Sequence, residues 1–351
     1  MWFLDSVKNN TLRIEDFSWK FYLPYAISKM ALCAYTRVQQ RHIGRGISIN
    51  SLHPGFVKTP MTKGTVTGSN QGIGFGIVRE LCRRKVGVVY LTSRNIQRGK
   101  EAVAKLEKDG FYPKYHQLDV SDEESVKTFA EYVKNKYGGL DILINNAGVL
   151  DSDFYKVSFE EAKRIIDVNV HGIILMQKYF FPILRDNARV INVSSDWGHI
   201  TNIKNPYWVQ RLTNKDIKLE DVYGFLNWFL DSVKNNALKE EDFFENSVLA
   251  YRVSKVAVSA LTRVQQNEVG KGISINSLNP GFVRSNMTKG GGDMTVEEAG
   301  VTPVYLALDI DQSVKGKYFW FDKTEVNWAD SSLNVLDTFD AFEKALEEVN
   351  Q

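Results

Sequence analysis

The order of apolar and polar stretches along the chain predicts an α/β fold. Between Thr65 and Asp330, short apolar runs alternate with longer stretches whose apolar residues recur at helical spacing. The apolar runs predict strands at Val86–Thr92, Tyr115–Leu118, Leu140–Ile144, Arg189–Val193, Ile273–Leu278 and Tyr318–Phe321. The amphipathic stretches predict helices at Gly74–Arg84, Asn95–Asp109, Asp122–Tyr137, Ser158–Leu184, Ser247–Val269 and Val296–Leu308. Strands that alternate with helices of this length indicate a doubly wound parallel sheet covered by helices on both faces, in three layers.

Two segments depart from this alternation. Residues 204–246 carry charged and aromatic residues without the strand–helix rhythm, and we interpret them as an insert that runs over the surface. Residues 331–351 form a C-terminal tail, in which Leu333–Val349 has apolar residues at helical spacing and predicts a docked surface helix. The main domain is therefore assigned to residues 65–330.

The N-terminal segment repeats a later part of the chain. Residues 2–64 align without a gap with residues 228–290, and about 40 of the 63 aligned positions are identical. The period is too long and the copies are too few for a solenoid repeat. We interpret residues 1–64 as a partial duplicate of residues 227–290 with no complete fold of its own. A partial tandem duplication or a join between neighbouring genes or gene models would produce it.

The composition excludes several classes of protein. Hydrophobic residues make up 43% of the chain and charged residues 25%, which is typical of a globular protein. The formal net charge of +2 gives no electrostatic reason to expect a nucleic-acid or membrane-surface partner. Two cysteines and five scattered histidines argue against a disulfide framework and against a metal site. Because the apolar runs are far shorter than the ~20 residues that cross a bilayer, and Asp5 interrupts any signal sequence, we expect a cytoplasmic protein.

A glycine-rich turn indicates a phosphate-binding site. Residues 67–74, Thr-Gly-Ser-Asn-Gln-Gly-Ile-Gly, precede an amphipathic run, so the chain can turn tightly and bring a pyrophosphate to a helix N-terminus. The candidate cofactor-binding residues here are Gly68, Asn70, Gly72, Ile73 and Gly74. Arg94 ends the next strand, where an acid would bind ribose hydroxyls, so a 2′-phosphate and hence NADP(H) are favoured. A plain turn and a solvated surface arginine are the alternatives.

Polar residues also mark the ends of two further strands and one helix face. Residues 145–148, Asn-Asn-Ala-Gly, end one predicted strand and Ser194-Ser195 ends the next, at the edge where parallel sheets bind ligands. Ordinary turns use the same residue types. Tyr251 and Lys255 stand four apart in a predicted helix, so both side chains project from one face. An ammonium lowers the pKa of a neighbouring phenol from ~10, which suits general acid–base chemistry, although this spacing also occurs by chance.

In this order, these motifs resemble the short-chain dehydrogenase/reductase family over about 265 residues. Residues 280–284 and 302–308, and the long insert between Ser195 and Tyr251, are similar to those of its NADPH-dependent carbonyl reductases. The resemblance implies a Rossmann-like fold with NADPH as cofactor. It also implies hydride transfer that reduces a small-molecule ketone, aldehyde or quinone to an alcohol. A monomer is expected, with a dimer as the alternative.

The resemblance also assigns roles to individual residues. Tyr251 is implied as the proton donor, Lys255 as the group that binds the nicotinamide ribose and tunes Tyr251, and Ser195 as the group that positions the carbonyl. Asn169 corresponds to the helix asparagine that holds a water in the proton relay. The remaining cofactor contacts fall beside the adenine and along the cleft, on Asp119, Val120, Asn146, Ala147 and Gly148.

Two features depart from the family. Gln71 stands where NADPH-preferring relatives usually carry Lys or Arg, which leaves Arg94 to hold the 2′-phosphate largely alone. Where a first strand of apolar residues is expected, residues 62–66 offer only Val66 and place the charge of Lys63 in the strand. Losing two buried aliphatic side chains costs roughly 4–8 kcal/mol, against ~5–15 kcal/mol for a whole domain. We therefore expect a marginally stable fold with a low melting temperature.

The incomplete first strand leaves a second interpretation of function open. In it the protein binds the cofactor but is catalytically weak or inactive, or is the product of mis-joined genes. Tyr25 and Lys29 form a second Tyr-x-x-x-Lys in the N-terminal copy, but no glycine-rich turn precedes them, so we expect them to be inert. The alternative is that residues 26–43 pack on the helix of Tyr251 as an internal mimic of a dimer partner.

Overall fold

A mostly parallel sheet forms the core of the part of the chain that the structure describes. The computed structural model describes residues 62–333. Its strands are β1 (Lys63–Val66), β2 (Val88–Ser93), β3 (Lys114–Gln117), β4 (Leu140–Asn145), β5 (Leu184–Val193), β6 (Ser274–Leu278), β7 (Tyr318–Phe319) and β8 (Glu325–Val326). They lie in the order β3-β2-β1-β4-β5-β6-β7-β8, and only the β7–β8 pair is antiparallel. The chain order reverses between β1 and β4, the switch point where ligands bind in such sheets.

Helices cover both faces of this sheet. They are α1 (Gly72–Arg83), α2 (Ile96–Lys108), α3 (Glu123–Tyr137), α4 (Phe159–Ile166), α5 (Gly172–Phe180), α6 (Pro206–Thr213), α7 (Leu219–Lys234), α8 (Leu249–Glu268), α9 (Val296–Ala299) and α10 (Val301–Leu308). Alternate residues of β4 point to opposite layers. Ile142 and Ile144 pack with α1, α2 and α10, whereas Leu143 packs with α3 and α5. The predicted three-layer, doubly wound α/β class is confirmed, with one antiparallel strand added at the edge.

The first strand forms despite its short and partly polar sequence. Residues 63–66 pair in parallel with both β2 and β4, and Gly64, Thr65 and Val66 are buried. Lys63 lies at the half-buried start of the strand, where its backbone N–H donates to Asp141 Oδ2 at 2.7 Å. Its charge therefore falls at the margin of the core, although burial lowers the pKa of the ammonium. Pairing with the two neighbouring strands therefore stabilises β1, whose own residues have little preference for a buried strand.

One tripeptide adopts a different conformation in each of its two places. In Thr62-Lys63-Gly64 the last two residues begin β1, whereas Thr288-Lys289-Gly290 lies in a turn. In that turn Lys289 has φ 51° and Gly290 has φ 90°, so both are left-handed. Because the residues are identical, local preference cannot explain both conformations, and tertiary contacts decide between them.

Two predicted helices are broken in the structure. In place of one helix over 158–184, α4 continues through a π-helical turn at Asp167–His171 into α5. Helical structure then ends at a 3-10 turn containing Pro182, because proline lacks an N–H, and β5 begins earlier than predicted. The helix predicted over 296–308 is divided between α9 and α10 at Gly300, where a Cβ would lie 2.6 Å from the backbone of Gly76.

The segment predicted as a surface insert is largely helical. It supplies α6 and α7, whose aromatic side chains Trp208, Phe225 and Phe229 share a hydrophobic cluster with α8. The insert therefore buries one side of the helix that carries Tyr251. Within residues 62–333, no helix has the length and apolar character needed to cross a bilayer. The predictions for Tyr25, Lys29 and the rest of the N-terminal copy up to residue 61, and for the tail helix beyond residue 333, lie outside the described residues.

Candidate active site

A cavity of about 470 Å³ opens at the carboxyl ends of the central strands. It is formed by the turn after β1, the loop after β4, the end of β5, the first turns of α8 and the segment after β6. The predicted site residues that line it are Gly68, Gly72, Ile73, Asn146, Gly148, Ser195, Tyr251 and Lys255. Those outside its lining are Asn70, Gly74, Arg94, Asp119, Val120, Ala147 and Asn169. The structure thus brings the glycine-rich turn and the Tyr-Lys pair into one space.

The turn after β1 approaches the loop after β4 too closely for side chains at its glycines. Gly68 and Gly72 have φ of 58° and 56°, and a Cβ at position 68 would lie 2.8 Å from the Cα of Ala147. At position 74 a Cβ would overlap the side-chain amide of Asn146. The turn leads directly into α1, whose first turn carries no acidic residue and whose first N–H groups have no intrahelical acceptor. This end of the cavity therefore suits a phosphate.

Thr67 ties this turn to the loop after β4. Its hydroxyl oxygen accepts from the backbone N–H groups of Asn146 and Ala147, each at 2.9 Å. The side-chain amide of Asn146 donates in return to the carbonyls of Thr67 and Gly68, at 2.9 and 3.1 Å. Asn146 and Ala147 thus shape the cleft. This role of Thr67 could not be predicted from the sequence, because nothing in the sequence shows which distant loop meets its hydroxyl.

Tyr251, Lys255 and Ser195 converge at the other end of the cavity. The Lys255 ammonium lies 5.3 Å from the centroid of the Tyr251 ring, on the same face of α8. Lys255 Nζ donates to the carbonyl of Val193 at 2.8 Å, which fixes it at the end of β5. The Ser195 hydroxyl donates to Asp196 Oδ1 at 2.7 Å and lies close enough to the Tyr251 phenol to influence its pKa. A carbonyl oxygen placed between Ser195 and Tyr251 would have a hydroxyl on either side.

Burial sets the protonation of the two titratable groups. Lys255 is 4% exposed, and burial lowers the pKa of its ammonium to about 8. For Tyr251, burial first and the Asp196 carboxylate second raise the pKa of the phenol, while the nearby Ser195 hydroxyl lowers it. The net direction is opposite to the lowering expected from Lys255 alone, because desolvation of the phenolate outweighs the other effects. The phenol therefore stays protonated at neutral pH, as a proton donor requires.

Asn169 lies in the π-helical turn and fixes the loop after β4 by hydrogen bonds. Its Oδ1 accepts from the Val149 N–H at 2.8 Å, and its Nδ2 donates to the Val149 carbonyl at 3.0 Å. The same Nδ2 donates to the Ser254 hydroxyl on α8 at 2.9 Å. Asn169 is also close to the site, since a Cβ on Gly148 would lie 3.5 Å from its Oδ1 and 3.7 Å from Lys255 Nζ. The π-helical turn contains one more residue than an α-helical turn, and this extra residue sets the position of the Asn169 side chain. The sequence does not reveal it.

Apolar side chains line the cavity around Tyr251. The Trp197 indole packs edge-to-face on the Tyr251 ring, with centroids 5.9 Å apart, and the Arg252 guanidinium lies 4.7 Å from the Trp197 ring. Phe282 and Met287 line the same space from the segment after β6. This part of the cavity therefore suits a substrate with an apolar body.

The residues predicted for the adenine and the 2′-phosphate follow β2 and β3. Arg94 is exposed directly after β2, and its guanidinium makes no hydrogen bond or ion pair within residues 62–333. Asp119 Oδ1 accepts from the N–H and the hydroxyl of Ser121, at 3.0 and 2.7 Å. Val120 is buried against Gly172. Arg94 is therefore an unengaged cation among the described residues, while Asp119 and Val120 have local structural contacts.

Comparison with known sequences places the chain in a family. A model described as short chain dehydrogenase matches residues 64–208. The chain is 34% identical over 272 residues to carbonyl reductase (NADPH) 1 of Sus scrofa. This alignment covers 75% of this chain and 93% of the relative. It is 36% identical over 252 residues to carbonyl reductase (NADPH) 3 of Mus musculus, and this alignment covers 69% of this chain and 89% of the relative. The resemblance found in the motifs is confirmed.

Solved structures agree with this placement. Salutaridine reductase from Papaver somniferum superposes with a TM-score of 0.68 at 30% identity, over 74% of this chain and 99% of that one. Menthone neomenthol reductase from Mentha piperita gives a TM-score of 0.64 at 27% identity, over 74% and 98%. An NADPH-bound carbonyl reductase from chicken fatty liver, with a TM-score of 0.57 at 24% identity over 76% and 99%, shares the fold. By its sequence, its sheet order and its relatives, the chain belongs to the short-chain dehydrogenase/reductase family.

Proposed function

We propose that this oxidoreductase reduces ketone, aldehyde or quinone carbonyls to alcohols, with NADPH as its cofactor. The observation that carries the proposal is the convergence of Ser195, Tyr251 and Lys255 in the cavity that also contains the glycine-rich turn. Relatives that cover 69–75% of this chain carry carbonyl reductase and NADPH in their names, which supports both the reaction class and the cofactor.

The residues of the cavity fit NADPH. Gly68 and Gly74 leave a cradle that side chains would fill, and the start of α1 adds backbone donors for a pyrophosphate. The buried ammonium of Lys255 would bind the ribose hydroxyls beside the nicotinamide. Arg94 would pair with the 2′-phosphate. Gln71 adds no charge there, and its side-chain oxygen accepts from Asn286 Nδ2 at 3.3 Å.

The chain's own residues handle the carbonyl oxygen and its proton. When bound, the cofactor supplies the hydride that reaches the carbonyl carbon. Tyr251 gives its phenolic proton to the oxygen on which negative charge develops, and Ser195 holds that oxygen by a second hydrogen bond. The Lys255 ammonium stabilises the phenolate that remains, while Asn169 fixes the loop beside it. Trp197 and Phe282 exclude water from the reacting carbon.

Turnover of the purified full chain tests the proposal. Loss of NADPH absorbance at 340 nm is followed with a quinone or an aromatic aldehyde as substrate. Tyr251→Phe removes the proton donor and keeps the ring, so we expect kcat to fall by about 100-fold or more. Tyr112→Phe changes an exposed tyrosine far from the cavity and should leave kcat unchanged.

The outcomes separate this function from its alternative. Turnover that Tyr251→Phe abolishes and Tyr112→Phe preserves would support a carbonyl reductase. Tight NADPH binding without turnover of any tested carbonyl would instead favour a cofactor-binding protein of low or no activity. Turnover that survives in Tyr251→Phe would mean that another group donates the proton.

A further inference from the structure

One buried carboxylate beside the site takes no part in the proposed reaction. Asp151 lies in the loop after β4 and is 6% exposed, and its Oδ2 accepts from the backbone N–H of Tyr251 at 3.0 Å. Its Oδ1 has no hydrogen-bond partner among the residues that the structure describes. Burying a carboxylate is costly unless donors surround it, so this placement calls for a reason.

The start of α8 supplies the donors that favour a carboxylate there. Val248 precedes the helix with φ 43°, and its apolar side chain cannot accept from the first-turn N–H groups. Asp151 provides that acceptor from a position 100 residues away in the chain, through the bond from the Tyr251 N–H. The positive end of the helix also stabilises the negative charge. Asp151 therefore caps the helix turn that carries Tyr251.

The loop that carries Asp151 is fixed at a second point close by. Asn169 binds both the N–H and the carbonyl of Val149, two residues earlier. Gly148, which precedes Val149, lines the cavity near Lys255. Val149 and Asp151 thus connect the loop to Asn169 on one side and to the first turn of α8 on the other. A shift of this loop would move the acceptor that Asp151 offers to the first turn of α8, which carries Tyr251.

We infer that Asp151 is a positioning residue for Tyr251: its carboxylate holds the first turn of α8 against the loop after β4. The inference rests on the proposed function, in which Tyr251 donates the proton. The charged and titratable groups that act on Asp151 are Glu161 of α4 and Tyr251 itself. Burial raises the pKa of Asp151 to about 6, against the N–H bonds that lower it, so Asp151 is ionised at neutral pH. Its charge in turn raises the pKa of the Tyr251 phenol.

Two variants of the full chain separate position from charge. Asp151→Ala removes the acceptor, and Asp151→Asn keeps an acceptor of the same size without the charge. Asp153→Ala is the matched control, because Asp153 is an exposed aspartate of the same loop whose Oδ1 accepts from the nearby backbone N–H groups of Tyr155 and Lys156. For each protein, kcat and the KM for NADPH are measured in carbonyl reduction, and kcat/KM is measured against pH in alcohol oxidation. Hydrogen exchange of a peptide spanning residues 249–255 reports on the helix start.

The expected results differ between the variants. Asp151→Ala should lower kcat about tenfold or more, leave the KM for NADPH within about twofold, and speed exchange in the 249–255 peptide. Asp151→Asn should keep kcat within about threefold. It should also move the rising limb of the oxidation profile to lower pH, because a negative charge near the phenol is gone. Asp153→Ala should match the wild type in every measurement.

Other results would overturn the inference. Wild-type kcat and wild-type exchange in Asp151→Ala would show that Asp151 does not hold the helix start. If Asp151→Ala does not fold, an unshifted oxidation profile in Asp151→Asn would count equally against it. A wild-type protein without any turnover would refute only the proposed function, and the exchange comparison would still decide whether Asp151 holds the first turn of α8.

Discussion

Replacing Thr65 by valine should stabilise the protein, because the first strand buries a hydroxyl that nothing satisfies. Thr65 is fully buried, and its Oγ1 has no hydrogen-bond partner among residues 62–333. In the sheet it pairs with Tyr90 and Leu143, whose side chains belong to an apolar cluster. Valine has nearly the same shape without the hydroxyl. The substitution therefore removes an unpaired polar group and leaves no cavity.

The expected gain is about 1–2 kcal/mol, since an unsatisfied buried polar group costs about 1–3 kcal/mol. For a domain of this size, 1 kcal/mol raises the melting temperature by about 2–4 °C. Thr92 on the neighbouring strand is the matched control: it is equally buried, but its Oγ1 donates to the Val66 carbonyl at 2.9 Å. Thr92→Val should lower the stability by about 1 kcal/mol, because it removes that bond.

Urea unfolding followed by tryptophan fluorescence measures both variants, with calorimetry as a second method. The midpoint should rise for Thr65→Val and fall for Thr92→Val, with no change in the slope of the transition. A fall for Thr65→Val, or shifts of the same sign in both variants, would refute the reasoning. A rise would agree with the prediction from the sequence that the first strand limits the stability of the fold.

Three further substitutions test the site. Gly74→Ala would press a methyl group into Asn146 and should weaken NADPH binding about tenfold or more in a fluorescence titration. Gly270 is at an open position, so the Gly270→Ala variant should bind NADPH normally. Arg94→Ala should raise the Kd for NADPH about tenfold or more and leave the Kd for NADH unchanged; equal effects on both would contradict a 2′-phosphate site. Burial lowers the pKa of Lys255 from 10.5 to about 8, so between these pH values only the unfolded chain binds the proton and wild-type stability rises with pH. Lys255→Met should lack this rise of about 3 kcal/mol in urea unfolding, and an unchanged pH dependence would show that Lys255 is not its source.

The residues that line the cleft could be predicted because their positions follow from local patterns. Residues 68–74 follow β1 and residues 145–148 lie at the end of β4, and the carboxyl ends of parallel strands meet at one edge. Tyr251 and Lys255 share a face simply because they are four apart in a helix. In each case the sequence contains both the element and the position of the residue within it.

The remainder could not be predicted because it depends on contacts between distant segments. The cap of α8 comes from Asp151, 100 residues away, and no local pattern links the two. The first strand breaks the rule that buried strands are apolar, since Gly64 and Thr65 are buried by the strands on either side of them. The net rise in the pKa of Tyr251 likewise requires knowledge of its burial.

The two Thr-Lys-Gly tripeptides have the same sequence, but their glycines are subject to different backbone constraints. Gly64 is extended, and a Cβ there would meet Ile142 at an ordinary 3.5 Å, so alanine is tolerated. Gly290, with φ 90°, has a backbone conformation that side chains rarely adopt. The same residue type can therefore be replaced at position 64 but is required by the backbone conformation at position 290, although the two tripeptides are identical.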